Sequence, residues 1–171
     1  MTAELIVLRL LHILGAIFWL GSGLFVAFFL MPAVKPGTPA FAEVMGGLQR
    51  RRLFTAMPIA AIVTMLSGLR LMMILSDNFS QAWFELASGR MYAAAGAASV
   101  VAFVISLVVS RPAAVRSGQL MAQRAAAKND AERAELDSSL ARLKRRSAVA
   151  GGIAMASLIF AACGMAVARY L

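Results

Sequence analysis

The amino-acid sequence predicts an all-α integral membrane four-helix bundle with both termini outside and a long helical hairpin in the cytoplasm. Three observations carry this. Apolar residues make up 61% of the 171 residues and charged residues 15%, with a mean hydropathy of +0.78, against roughly 45–50% apolar usage in soluble domains. The apolar residues gather into four runs, Leu5 to Val34, Leu53 to Leu75, Met91 to Ser110 and Ala148 to Leu171, each near the roughly 20 residues that carry a helix across the hydrocarbon core. Finally, 13 of the 17 Lys and Arg residues fall between runs one and two or between runs three and four.

Backbone polar groups inside a bilayer must be bonded within the protein, and no run alternates apolar with polar residues as a barrel strand does, so the runs are read as helices. Glu4 precedes the first run, whose length is about twice that of a secretory signal's apolar core, so a retained first span is expected. Pro32, Pro36, Gly37 and Pro39 are expected to stop it, and Phe41 to Arg52 to form a short helix at the inner surface. The loop Ser76 to Arg90 is acidic and aromatic; Trp83 and Phe84, with Tyr92 and Tyr170 at neighbouring helix ends, suit an outer-interface aromatic belt. The polar segment after span three reads as two helices, Ala113 to Lys128 and Ala131 to Arg146. Asn129 and Glu132 form a capping box between them, and Leu136, Leu140 and Leu143 have the spacing to face Leu120, Met121 and Ala125. Each arm would extend roughly 25 Å if Pro112 only kinks the third helix. The whole chain, 1–171, is read as a single membrane domain, the hairpin spanning 113–146.

Orientation follows from the basic residues, because cytoplasmic loops keep Lys and Arg. Lys35 and Arg50 to Arg52 lie in the first loop and nine more in the third, which puts both loops inside. The net charge of +9 is then a topology signal; no nucleic-acid fold fits between the spans, so nucleic acid is not expected as a partner, whereas anionic lipids at the cytoplasmic face are. Small residues in spans three and four, among them Ala93, Gly96, Ala97, Gly151, Gly152, Ala156 and Gly164, mark close-packing faces, within the bundle, in a homo-oligomer or in a larger membrane complex.

Few residues can carry chemistry. His12, the single histidine, sits about two turns inside the first span and shares a face with Gly15, Ala16, Trp19 and Gly23. A neutral imidazole there could ligate haem iron or copper, or simply bond a neighbouring helix. Arg70 in the second span and Arg9, one turn before His12, could hold haem propionates or another anionic group, or snorkel to the interface. Met165 is one of several outer-half sulfur donors. The lone Cys163 excludes an intramolecular disulfide, and the absence of deep carboxylates argues against a carboxylate proton relay. No hydrolase triad is arranged, and no span carries a broken-helix transport site.

The phrases LLHILGAIFWLGSGLFVAFFLMPAV at 10–34, SGLRLMMIL at 67–75 and MAVARYL at 165–171 resemble the bacterial four-span proteins grouped around copper-resistance protein D and membrane protoporphyrinogen oxidase. The resemblance implies a multi-pass protein of the bacterial inner membrane, in a redox-associated role, with b-type haem or, second, copper at His12. This sequence lacks the further histidines common in such proteins, so a bis-histidine site within one protomer is impossible. Haem would then need a His/Met pair, five-coordinate iron, or two His12 side chains meeting across a dimer. The rival expectation is a non-catalytic accessory subunit of a larger membrane complex. Whether the chain is an enzyme is left open.

Overall fold

The computed structural model describes residues 3–34 and 38–171; the expectations that rest on Lys35, Pro36 and Gly37 lie outside the described residues. Six helices follow in order: α1 (Ala3–Ala33), α2 (Pro39–Arg50), α3 (Leu53–Leu75), α4 (Gln81–Glu85), α5 (Ala87–Ala126) and α6 (Asp130–Ala168), and no strand occurs among the described residues. Helices α1, α3, α5 and α6 are each long and apolar enough to cross a membrane. The all-α membrane reading therefore holds.

The chain divides into two compact units, the segments Met1–Ser99 with Ile159–Leu171, and Val100–Leu158. In the first, α1 packs against α3 and α2 against the same helix. The buried positions among the described residues are mostly small, including Ala61, Ala95, Ala102, Ala154, Ala161 and Ala168, whereas Ile17, Phe28, Phe29, Leu66, Val108 and Val149 are all more than half exposed. Small residues inside and large apolar ones outside is the arrangement expected where lipid is the solvent and close backbone approach drives association. Gly164 of α6 follows this pattern, since a Cβ there would lie 3.2 Å from both Ala95 Cβ and Met91 Sδ.

Proline shapes two of the long helices in the same way. In α1 a π-helical turn, Val26–Leu30, precedes Pro32; in α5 another, Ser106–Ser110, precedes Pro112. A proline at position i leaves the i−4 carbonyl without a donor and crowds it. The residue before each proline instead bonds five residues back, Met31 N–H to Val26 O and Arg111 N–H to Ser106 O, and the widened turn carries the helix past the obstacle. Pro32 is therefore carried within α1, which ends one residue later at Ala33, inside the stretch expected to stop it, and Pro112 does not interrupt α5. Pro39 begins a helix instead of ending one: it is the first residue of α2, whose N-cap, Thr38, accepts a hydrogen bond from Phe41 N–H at 3.3 Å.

At the far end of α3, Ser76 is buried, donates its N–H to Met72 O, and accepts Phe79 N–H on its hydroxyl at 2.7 Å. That hydroxyl anchors three consecutive left-handed residues, Asp77, Asn78 and Phe79, with φ between 50° and 64°. Trp83 of α4 lies edge-on to Phe84 at 5.1 Å and stacks with Tyr92 at 6.3 Å, so three of the four aromatic residues expected at one interface form a cluster. Tyr170 lies under the Arg169 guanidinium at 4.5 Å.

In the second unit the polar arms of α5 and α6 turn back on each other through Ala127–Asn129. Asn129 Oδ1 accepts Glu132 N–H at 2.8 Å, and Glu132 accepts Lys128 N–H at 3.1 Å. The expected capping box thus forms, with its return bond one residue earlier than the pattern specifies. Arg124 and Asp137 pair across the arms through two hydrogen bonds, the second at 3.0 Å. Leu120 is buried, together with Ala113 and Ala127 at intervals of seven, and Leu136, Leu140 and Leu143 are half-buried. Met121 and Ala125 remain exposed, because the seam follows the 113–120–127 repeat and leaves them on the flank.

Candidate functional site

The seam between α1 and α3 holds the candidate chemistry. The two helices run antiparallel, and small residues on α3 set how closely they meet. A Cβ at Gly68 would lie 2.6 Å from His12 Cε1 and 2.8 Å from Nδ1, and one at Gly15 would overlap Thr64 Oγ1 and sit 3.3 Å from Ala60 O. No residue larger than glycine fits at either position without moving a neighbour. Glycine on each helix thus makes room for the other's polar side chain.

His12, half-buried, uses this space to reach across. Its Nδ1 lies 2.8 Å from Thr64 O. A carbonyl oxygen can only accept, so Nδ1 carries a proton, and in the neutral ring Nε2 then holds the lone pair. Nε2 has no hydrogen-bond partner among the described residues. The seam's other hydroxyls are used locally: Thr64 Oγ1 donates to Ala60 O at 2.8 Å, and Ser67 Oγ to Val63 O at 2.6 Å. Such back-bonding satisfies a hydroxyl proton within an apolar helix; Ser67 Oγ also donates to Thr64 O at 3.1 Å, so that carbonyl accepts from both the serine and the imidazole.

Arg70 does not stand alone. It pairs with Glu4 across the same seam, at 2.9 Å from Nε and 2.8 Å from a terminal nitrogen, with both side chains about half exposed. The register of these contacts, His12 against Thr64 and Gly68 and Glu4 against Arg70, puts Arg70 about one turn, roughly 6 Å, closer than His12 to the end of the seam where α1 begins. Arg9 is exposed on α1, one turn before His12, and Trp19 is buried two turns beyond it. Met165 is half-buried on α6, beside Gly164. The hydrogen bonds of the seam therefore join His12 to Thr64 and Arg70 to Glu4.

The sequence reading found His12, Arg9, Arg70, Trp19 and Met165 but missed their partners. The signal for Gly68 and Thr64 was present as Ala60, Ala61, Thr64, Ser67 and Gly68, a small and weakly polar face at helical spacing within an otherwise bulky span. Glu4, which in the sequence marks only the start of a span, is the counter-ion of Arg70. Among the described residues no group of three or more His, Cys, Asp and Glu side chains could hold a metal ion.

A family described as predicted integral membrane protein (DUF2269) matches residues 6–169, nearly the whole of this architecture. No curated protein and no solved structure matches the chain.

Proposed function

The chain belongs to that integral membrane family, and on that premise we propose that it is a small redox-associated protein in which His12 supplies a nitrogen ligand to a b-type haem, copper being the second choice. The observation that supports the reading is the Nδ1 hydrogen bond to Thr64 O. Metal-ligating histidines commonly donate their second ring N–H to a carbonyl or carboxylate, which fixes the tautomer and orients the lone pair of the other nitrogen. Haem is preferred to a bare ion because a bare ion draws most of its ligands from the protein. With no group of three His, Cys, Asp or Glu side chains among the described residues, a macrocycle that would bring most of the ligands itself and ask the protein for only one or two is the better fit.

In this reading His12 would hold the metal and Met165 would be the candidate for a second ligand. Arg9 and Arg70 would hold the haem's anionic groups, a propionate sharing Arg70 with Glu4 or displacing it. When bound, haem supplies one-electron transfer; the chain supplies an apolar seam and a fixed imidazole. With the basic loops in the cytoplasm of a bacterial inner membrane, the site falls in the outer leaflet.

The test is an oxidised and reduced optical spectrum of the full chain in mild detergent, with metal analysis. His12→Asn keeps an N–H donor near the position of Nδ1 and removes Nε2, so the expected outcome is loss of the haem bands with the fold retained. Unchanged cofactor content in that variant, or a colourless and metal-free wild-type protein, overturns the reading.

The second reading is an accessory subunit, favoured by a separate observation. A Cβ built at Gly96, Gly151 or Gly152 meets no atom of the described residues within 4 Å, which leaves each of these small positions room to take a close neighbour. An accessory subunit would co-purify with a stoichiometric partner and lose it when 113–146 is shortened. Isolation without a partner removes this reading.

A further inference from the structure

Within the unit Val100–Leu158 an open groove of about 580 Å³ runs between α5 and α6. Arg142, Arg145 and Arg146 line one end, and Val109, Val149 and Ile153 the other. Both helices change character at this level: α5 passes from Val108 and Val109 to Arg111, and α6 passes from Arg145 and Arg146 to Val149. Two helices that place their polar–apolar boundary at the same groove put it at the headgroup level of a bilayer, with the arginines in the headgroups and the valines and isoleucine in hydrocarbon.

Among the described residues none of the three arginines pairs with a carboxylate. Arg142 donates to the hydroxyls of Ser138 and Ser139 at 3.3 and 3.0 Å, which are neutral. Elsewhere in the same unit Arg124 and Arg133 each have a carboxylate partner. Positions three and four residues from each arginine of the trio hold no Asp or Glu. Arg142 is instead three and four residues from Arg145 and Arg146, like-charge spacings that destabilise a helix. An anion seated among them would relieve that repulsion, and guanidinium groups bind phosphate oxygens in bidentate fashion.

We propose that this groove is a binding site for one anionic glycerophospholipid. Its phosphate is held by Arg142, Arg145 and Arg146, and an acyl chain lies along Val109, Val149 and Ile153. The volume is within the roughly 300–1,000 Å³ usual for ligand sites. The apolar half selects a lipid over a soluble phosphate or an acidic peptide, neither of which has a group to place beside Ile153. The site is independent of His12 and of any haem.

The experiment is native mass spectrometry of the full chain in mild detergent, titrated with phosphatidylglycerol or phosphatidylcholine. The expected result is one retained phosphatidylglycerol per chain. Its retention should fall on the order of a hundredfold in R142Q/R145Q/R146Q, since each basic group near an anionic lipid surface contributes about fivefold. R116Q/K128Q/K144Q removes equal charge from positions that do not line the groove and should retain the lipid. Ile153→Trp keeps every charge, so it reads the acyl half even where loss of arginines disturbs insertion; it too should lower retention severalfold. Equal loss in both triple variants, equal retention of the two lipids, unchanged retention in Ile153→Trp, or displacement of the lipid by millimolar inorganic phosphate or by an acidic peptide would each overturn the proposal.

Discussion

The α1–α3 seam and the polar hairpin of α5 and α6 are both antiparallel helix pairs, yet they hold together by opposite means. The seam relies on the absence of side chains: Gly15 and Gly68 let backbones approach, and the His12 bond to a backbone carbonyl spans the contact. The hairpin relies on their presence, with Leu120 buried between the arms and the Arg124–Asp137 ion pair on the exposed flank. Lipid offers no hydrophobic gain for burying a leucine, so proximity and backbone-directed hydrogen bonds decide there; water offers that gain and weakens the ion pair.

The largest effect that would break this comparison is expected for Gly68→Leu. A side chain at that position meets the imidazole, and the cost should be about 3 kcal/mol or more, measured as loss of helicity on titration from mild detergent into SDS. Gly151→Leu, in open space, should leave the same curve almost unmoved. Equal sensitivity at both glycines would show that the seam has no special closeness. In the hairpin, Leu120→Ala should cost about 2 kcal/mol, the low end for a buried leucine because the arms are narrow and lie beside solvent. Proteolysis of the hairpin with the membrane spans intact is the measurement. A loss well under that figure would mean the arms are held mainly by their connection.

How much of this contrast was legible in the sequence differs between the two regions. The hairpin was readable almost entirely, because Asn129, Glu132 and the leucine spacing are local patterns and local hydrogen bonds follow from them. Its error, Met121 and Ala125 facing inward, concerned which of two adjacent stripes forms the seam. The candidate site was readable only by halves: His12 is conspicuous as a lone polar group in an apolar run, but its partner is a backbone carbonyl, and every residue has one. Nothing in the identity of Thr64 marks its oxygen as the acceptor.

The smallest expected effect concerns pH. The Arg124 guanidinium, by hydrogen bond and charge, holds the Asp137 carboxyl below the usual carboxylate range, and Asp137 in turn raises Arg124. A carboxyl whose value is lowered on folding contributes stability above its unfolded value, about 3.9, and that contribution is lost as the pH falls through the lowered folded value. Hairpin protection should therefore weaken slightly on acidification below about pH 4 and in high salt. Asp137→Asn should be slightly weaker at neutral pH and lack the acid step. An unchanged acid step in that variant would assign it to another carboxylate.

The sequence by itself determined that this is an integral membrane protein with four helices long and apolar enough to cross a membrane, and which residues stand out chemically. Hydrophobic length and local capping are properties of contiguous residues, and the bilayer leaves the backbone few alternatives. Only the tertiary structure decided that His12 bonds Thr64 across two glycines, that Glu4 engages Arg70, that proline bends α1 and α5 into π turns, and that three arginines share a groove with valine and isoleucine. Each of these depends on helix register or on backbone atoms of a distant segment, which side-chain identity alone does not encode.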